Sequence, residues 1–435
     1  MRRELVKVSN LTLVEYERIN RQTRDKRMKW WREARLGMFI HYGLYSVRAK
    51  HEWAWAIEGL TCEEYIKLAD NFNPNPGCVR EWVKFAKKSG AKYCVLTARH
   101  HEGFSLWNSK VNPFNSVNYG PKRDLVREYV DACREFDIKI GIYNSLMDWY
   151  NPDGYNCHTD SDANYRFTKY LKELNRELMT NYGKIDLLWY DGGETMEGYE
   201  GWDALNMNQM IRELQPDIII NNRSRLAEDY GTPEGKLEFM NRDWEACMTF
   251  NDISWGYVDS KQMQPYSYNP QRFIRLLGRT TSGGGNLLVN MGPSPDGSIP
   301  SEMTEPMNEI GKWLEKYGDY AIYGQIDHHS SWTMFGTTTS IRKGNKVYLI
   351  VWLWPQDGTM NIGGFKTKLL NATITNGNNI EFTQDENKIT LHHLPVKCPD
   401  DILGISVIEL EFQNEPVFPD YYRYGNTLPQ IPVKD

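Results

Sequence analysis

A carboxylate at Asp191, imidazoles at His41, His100 and His101, a phenol at Tyr143 and a guanidinium at Arg223 each stand at or near the end of a short apolar run. The runs close as FIHYG, ARHHEGF, GIYNS, WYDGG and NNRS. A strand end is ordinarily punctuated by Gly, Asn or Ser. Five successive runs closing on groups that can attack, transfer protons or bind hydroxyls therefore point to one reaction site. The set suits hydrolysis in which a carboxylate attacks directly. It also admits a second form, in which imidazoles and a carboxylate hold a metal-bound water. Against the second, adjacent residues on a strand point to opposite faces, so His100 and His101 share one ion only if the strand ends between them. Asp191 is the sharpest candidate nucleophile. It follows IDLLWY, which fixes it to a strand, and precedes Gly192-Gly193, which would let a substrate come close. The plainer reading of the same residue is a loop Asp capping the next helix.

The elements that must position these groups alternate along the first three quarters of the chain. Apolar runs at 36–41, 93–98, 138–143, 185–190, 218–221 and 286–289 alternate with helical patterns at 80–89, 124–136, 164–181 and 270–280. This is the sequence form of βα units around a parallel sheet. The expected fold is a (β/α)8-like barrel with its active site at the carboxyl ends of the strands; six strands rather than eight are recognisable, so either the barrel is irregular or its remaining strands are too short and polar to stand out. After a helix around 310–317, short alternating runs at 347–354, 370–375, 380–383, 389–391 and 405–412 predict an antiparallel β-sandwich. The expected organisation is therefore a catalytic barrel over 1–324, a β-sandwich over 325–415 and a tail over 416–435. The tail's tyrosines could cover the sandwich or reach a neighbouring subunit, so a homo-oligomer is one arrangement it allows.

Composition narrows the function classes. With 435 residues, 40% hydrophobic and 25% charged, the chain is globular and long enough for two domains. A formal charge of −6 leaves no basic surplus for a phosphate backbone, so nucleic acid is not expected as a partner. No stretch is apolar and long enough to span a membrane. Aromatic residues reach 13%, including 15 Trp and 26 Tyr, which fits a site that packs rings against the apolar faces of sugars. Seven cysteines form no CxxC pair, and the N-terminal residues carry charges where a signal peptide needs an apolar core. The expected location is cytoplasmic, unless a leader was removed before this numbering.

Longer motifs carry a resemblance. WWREARLGMFIHYGLYS, the Glu52-Trp53 pair, ARHHEGFSLWNS, GPKRDLVREYV, GIYNSLMDW, NYGKIDLLWYDGG, NNRS, TPE, WEACMTFNDISWGY and GGGNLLVNMGPSPDGSIP follow one another in this order. The chain thereby resembles the glycoside hydrolase family 29 α-L-fucosidases from about Trp30 to Tyr323, and the following β-region also fits that family. The resemblance implies a retaining exo-α-L-fucosidase acting on fucosylated glycans or glycosides, with no cofactor or metal. It places the nucleophile at Asp191 and fucose-binding groups at His41, Glu52, Trp53, His100, His101, Tyr143, Trp189 and Arg223. For the acid/base it offers Glu234, in Thr232-Pro233-Glu234, and as the alternative Glu245, in Trp244-Glu245. The departures are ARHHEGF where KHHDGF is common, EWAWAIEG where EWYAR is common and GIYNS where GLYYS is common; the last two border the pocket.

The chemistry agrees with those roles. An oxocarbenium-like transition state and a poor alkoxide leaving group require one attacking carboxylate and one protonated acid, about 5 Å apart if configuration is retained. A neutral sugar is bound by imidazoles, a carboxylate and an arginine in fixed geometry. A non-catalytic carbohydrate-binding protein would keep the pocket and lack the working acid. Gly283-Gly284-Gly285 precedes a strand rather than opening a helix, so a phosphate loop is not supported. The pairs His328-His329 and His392-His393 lack companion ligands at metal spacing.

Overall fold

The computed structural model describes residues 11–261, 269–326, 338–385 and 388–417. His328, His329 and the aromatic tail from 418 onward lie outside the described residues. Contacts divide the chain into two compact units. The first comprises 1–31, 36–267 and 288–304; the second comprises 32–35, 268–287 and 305–435.

The seven-stranded sheet consists of β1 Leu36–Ile40, β2 Tyr93–Arg99, β3 Lys139–Ser145, β4 Leu187–Asp191, β5 Ile219–Ile220, β6 Glu245–Met248 and β7 Asn286–Met291, in the order β5-β4-β3-β2-β1-β7-β6. Strands β1 to β5 pair in parallel register. Every residue of β1 and β2 is buried, which is why these strands read as unbroken apolar runs rather than alternating ones. Register does the positioning. Tyr143 lies opposite Trp189, Ser145 opposite Asp191 and Thr97 opposite Tyr143, so the polar strand ends of the sequence share one rim. A one-residue slip would turn each of them to the other side.

The expected (β/α)8-like barrel is met in part: the described strands form a seven-stranded sheet that does not close into a ring. The edge strands β5 and β6 are separated by the segment 229–235, which spans the gap through single bridges: Asn221 to Tyr230, Gly231 to Trp244 and Glu234 to Cys247. The sheet is thus barrel-like and not closed by continuous ladders. Strand β6, EACM, is four residues long and opens on a charge, so it gave no apolar run to recognise.

The helices of the first unit form for local reasons. In Cys78–Lys88 the buried residues Val79, Trp82, Val83 and Ala86 fall on one helical face. Leu125–Glu135 is capped by Asp124, whose side chain accepts from the Arg127 N–H, and Ser161–Asn181 is capped by Asp160 in the same way. The 22-residue helix Leu13–Ala34 was not legible as an element. Its apolar period is interrupted because Arg27, although charged, lies buried on its inner side.

The second unit contains two antiparallel sheets, as the β-sandwich expectation holds. One runs β11 Leu369–Ile374, β14 Ser406–Phe412, β9 Lys346–Val351 and β8 Thr338–Lys343; the other runs β10 Met360–Gly363, β13 Lys388–His392 and β12 Glu381–Gln384. Val347, Leu349, Val351, Ile389, Leu391, Ile408 and Leu410 form its core. β8 and β10 lay outside the sequence expectation: TTSIRK and MNIG are too polar to stand out. The helix Ser301–Ala321 is fastened to these strands by the Trp313 indole, which donates to the Ile405 carbonyl at 2.8 Å.

The gap-spanning segment is anchored at Asp229. Its carboxylate, 1% exposed, accepts from Arg27 at 2.6 Å and Arg212 at 3.0 Å, and also from the Ile220 N–H at 3.0 Å. Asp229→Ala would leave two buried guanidinium groups short of their partner. The expected cost is about 3–5 kcal/mol, seen as a fall in the urea midpoint of unfolding; an unchanged midpoint would show that the anchor is not structural.

Candidate active site

At the strand-end rim, Asp191 is the last residue of β4, and its side chain is 18% exposed. Oδ1 accepts from Arg223 Nη1 at 2.7 Å and Oδ2 from the Tyr143 hydroxyl at 3.0 Å. The His101 Nε2 stands 3.6 Å from Oδ2. Burial pushes the Asp191 carboxyl up to about 6; the Arg223 guanidinium pulls the other way, and Glu234 and Glu194 add to the rise.

Arg223 sits in the turn Asn222–Ser224 that follows β5. Its Nε donates to Thr232 Oγ1 at 2.8 Å, and its Nη2 donates to Glu234 Oε2 at 2.7 Å. One guanidinium therefore holds both Asp191 and Glu234, and its plane also lies 5.0 Å from the Trp189 ring centroid. Burial opposes the charge on Arg223, but Asp191 and its neighbours outweigh that and hold the group cationic. Gly193 has a different task from the one its sequence position suggested. A Cβ there would stand 1.7 Å from the Arg223 carbonyl oxygen, so this glycine makes room for the arginine's turn rather than for a substrate.

Three imidazoles line the rim, and each turns Nδ1 toward a different neighbour. His41, just past β1, faces Asn290 Oδ1 at 2.6 Å. The Asn290 amide nitrogen donates to the Trp255 carbonyl, so its oxygen faces His41, which must carry its hydrogen on Nδ1. His101 faces Ser145 Oγ at 2.7 Å, and His100 Nδ1 lies 3.5 Å from Glu102 Oε2. β2 ends at Arg99, so strand alternation does not apply to the two histidines that follow, and their rings come within 4.1 Å of each other. Burial dominates their titration: it lowers His100 to about 3, with His51 and Arg99 adding to the fall, and lowers His41 and His101 well below the usual imidazole range. Neutral imidazoles suit an uncharged ligand. Among the described residues no three His, Cys, Asp or Glu side chains are placed to hold one metal ion.

The remaining expected residues are placed as follows. Tyr143 stacks on Trp189 at 5.6 Å and 16°, and Phe39 underlies His41, Tyr143 and Trp189. Glu52 is buried, and its Oε2 accepts from the Ser254 hydroxyl and from the Trp255 and Gly256 N–H groups, all at 2.9–3.0 Å. It thereby fixes Trp255, which lies over His41 at 5.1 Å. Trp53, 36% exposed, packs edge-on to His101 and to Trp149 at the outer rim. Glu245 is set apart from the carboxylate pair. It is completely buried, with Oε2 accepting from the Tyr93 hydroxyl and Oε1 from the Trp189 indole at 2.9 Å, and burial pushes it up to about 7.

Sequence reasoning did not single out Asn290, Trp255, Ser145, Thr232 or Glu102. Asn290 was within reach: NLLVN is a sixth apolar run closing on a polar residue, and the rule applied to the other five would have found it.

The sequence profile of the α-L-fucosidase family matches residues 7–319 of this chain. The chain is 32% identical to the tissue α-L-fucosidase of Macaca fascicularis over 416 residues, covering 86% of each. It is 30% identical to the human plasma α-L-fucosidase, covering 85% of this chain and 87% of the relative. Its fold is similar, with a TM-score of 0.80 and 30% identity over 89% of this chain and 96% of the other, to a family 29 α-L-fucosidase from Bacteroides thetaiotaomicron. That structure is a trapped covalent intermediate in complex with 2-fluoro-fucosyl fluoride. The plasma relative corrects the expected cytoplasmic location. All seven cysteines here are free, and among the described residues no helix is long and apolar enough to cross a membrane, yet neither property fixes a compartment in this family.

Glu245 yields a pH-dependent stability prediction. Its folded-state titration, at about 7, lies above that of an unfolded glutamate, so the stability it contributes is complete below about pH 4 and is lost as pH rises through 7. Glu245→Gln removes that loss. Its melting temperature relative to the wild type should therefore rise between pH 5 and pH 8, by the equivalent of up to roughly 3 kcal/mol; a difference independent of pH would show that the carboxyl titrates normally.

Proposed function

The chain belongs to the glycoside hydrolase family 29 α-L-fucosidases, and from that premise we propose a retaining exo-cleavage of terminal α-L-fucose in which Asp191 is the nucleophile and Glu234 the acid/base. The observation that carries this assignment is the shared guanidinium: Arg223 bonds Asp191 and Glu234 at 2.7 Å each. Two carboxyls gripped by one side chain fit the separation of about 5 Å that a double displacement requires. The covalent intermediate trapped in the Bacteroides relative supports the same course. Glu234 is favoured over Glu245 because it is 45% exposed, where an aglycone can reach it. Glu245 is sealed, with both oxygens engaged by Tyr93 and Trp189.

In the first step an Asp191 oxygen bonds to the anomeric carbon as the bond to the aglycone oxygen breaks, and that oxygen takes the Glu234 proton. In the second step Glu234 removes a proton from water, the water oxygen bonds to the anomeric carbon from the other side, and Asp191 leaves as carboxylate. Two inversions give net retention. Arg223 opposes the like-charge repulsion of the two carboxyls, and the Tyr143 hydroxyl orients Asp191. His41, His100, His101 and Glu52 bind sugar hydroxyls; Trp189 and the rim tryptophan Trp53 bound the sugar and its leaving side. The catalytic machinery lies in the region 1–324, with 325–415 as an accompanying β-region. A fucosylated glycan or glycoside is the substrate class.

The test is hydrolysis of 4-nitrophenyl α-L-fucoside. Asp191→Gly is expected to lose at least ~10³-fold in kcat and, with azide, to form the inverted β-fucosyl azide. Glu234→Ala should be rescued by azide to the retained α-fucosyl azide. Rescue of Glu245→Ala instead would move the acid/base role to that residue. The pH profile is a separate measurement. Because the nucleophile must be ionised and burial holds Asp191 at about 6, kcat/KM should climb about tenfold per pH unit on the acidic limb below pH 6; a flat profile from pH 4 to 6 would contradict the role.

A further inference from the structure

Glu102 is a carboxyl for which the reaction has no use. It lies in the turn after β2, is 1% exposed, and has no hydrogen-bond partner on Oε2. His100 is 3% exposed, and its Nδ1 is likewise sealed and unpartnered. These two orphan atoms face each other at 3.5 Å. The carboxyl's place is built into the fold from a second segment: a Cβ on Gly43 would stand 2.7 Å from Glu102 Oε1, so the glycine of FIHYG keeps that space open. The guanidinium that acts on it, Arg99, does not bond to it. Arg99 gives its donors to Asn144, Met147, Asp148 and Ser145.

One proton shared by the two orphan atoms satisfies both, and it can sit on either side. On His100 Nδ1 it would make an imidazolium beside a carboxylate, two charges sealed from water with Asp148 nearby, which is costly. On Glu102 both partners are neutral. Burial pushes the Glu102 carboxyl up to about 8, against the milder pull of Arg99, which agrees with the second placement. The other groups that sense it are the Tyr45 and Tyr65 phenols.

We propose that Glu102 is a positioning residue that donates its carboxyl proton to His100 Nδ1 and so fixes His100 with its remaining hydrogen on Nε2. The two atoms, 3.5 Å apart, need only a small side-chain adjustment to reach ordinary hydrogen-bond length. The consequence lies in the pocket. His41, held by Asn290, carries its hydrogen on Nδ1 and presents a bare Nε2 that accepts, whereas His100 presents an Nε2–H that donates. Two neighbouring imidazoles, 5.7 Å apart, thus offer opposite hydrogen-bonding character to the hydroxyls of one sugar. The role of the His100 donor in binding rests on the fucosidase reading above; the tautomer itself does not.

The experiment is ¹⁵N NMR of histidine-labelled, ligand-free protein, with the His100 signals assigned by their loss in His100→Gln. A protonated Nε2 and a bare Nδ1 are expected; a protonated Nδ1 overturns the proposal, whatever the protein hydrolyses. Two variants read the consequence with 4-nitrophenyl α-L-fucoside. Glu102→Gln, whose amide still donates to Nδ1, should keep the Nε2–H tautomer and a KM within about threefold of the wild type. Glu102→Leu, which cannot donate, should mix the tautomers and raise KM ~10-fold or more, with a smaller change in kcat. A Leu variant with unchanged tautomer and KM, or a Gln variant that loses the tautomer, overturns the proposal.

Discussion

Carboxylates brought side by side repel each other, and the more buried of them also loses hydration, so their arrangement depends on whatever counter-charge lies between them. Here that group is Arg223. Its Nη1 holds Asp191, its Nη2 holds Glu234, its Nε holds Thr232 and its face covers Trp189. A lysine could balance the charge but could not fix four directions with one rigid plane. The dependence reaches the backbone as well. The turn that carries Arg223 packs against Gly193, where any side chain would collide with the Arg223 carbonyl. WYDGG and NNRS, about 30 residues apart in sequence, are therefore two halves of one device.

Around that charged centre the rest of the pocket is neutral by burial. His41, His100 and His101 lie too deep to ionise readily, and Phe39, Tyr143, Trp189 and Trp255 fill the space beneath and beside them. A hydroxylated, uncharged ligand meets donors and acceptors rather than fixed charges. What differs among the three imidazoles is the group that faces Nδ1: an amide oxygen for His41, a hydroxyl for His101 and, 3.5 Å away, a carboxyl for His100. Selectivity for one pattern of hydroxyls can thus be written in the residues behind the imidazoles.

The strands were legible where burial on both faces made them unbroken apolar runs, as in β1 to β4, and their polar ends gave away most of the pocket. Legibility failed where a structural role is carried by polar residues. The helix Leu13–Ala34 hides its inner face behind Arg27, a residue that reads as surface until its partner Asp229 is known. Strand β6 opens on Glu245, whose burial is tolerated because Tyr93 and Trp189 meet it. Glu102 reads as an ordinary turn residue, since its one neighbour of consequence is the histidine two positions before it. In each case the missing information is a contact between distant or oppositely patterned residues, which periodicity does not register.

The difficulty in choosing between Glu234 and Glu245 has a structural origin. The two residues lie on backbones that run side by side, bridged at Gly231 and Trp244 and again at Glu234 and Cys247. Spacing along the chain brings both into the same region. What separates them is direction: Glu245 starts a strand of the sheet and turns into the sealed interior, whereas Glu234 lies on the irregular segment that spans the gap between β5 and β6. That segment is held by Asp229 at one end and by backbone bonds from Glu245 to Gly231 and from Cys247 to Pro233 along its length, which leaves Glu234 beyond its last tie but one. A regular eighth strand would have fixed that position by the pleat of the sheet. The break in regularity leaves the Glu234 carboxyl exposed, with Arg223 bonding it and Asp191 together.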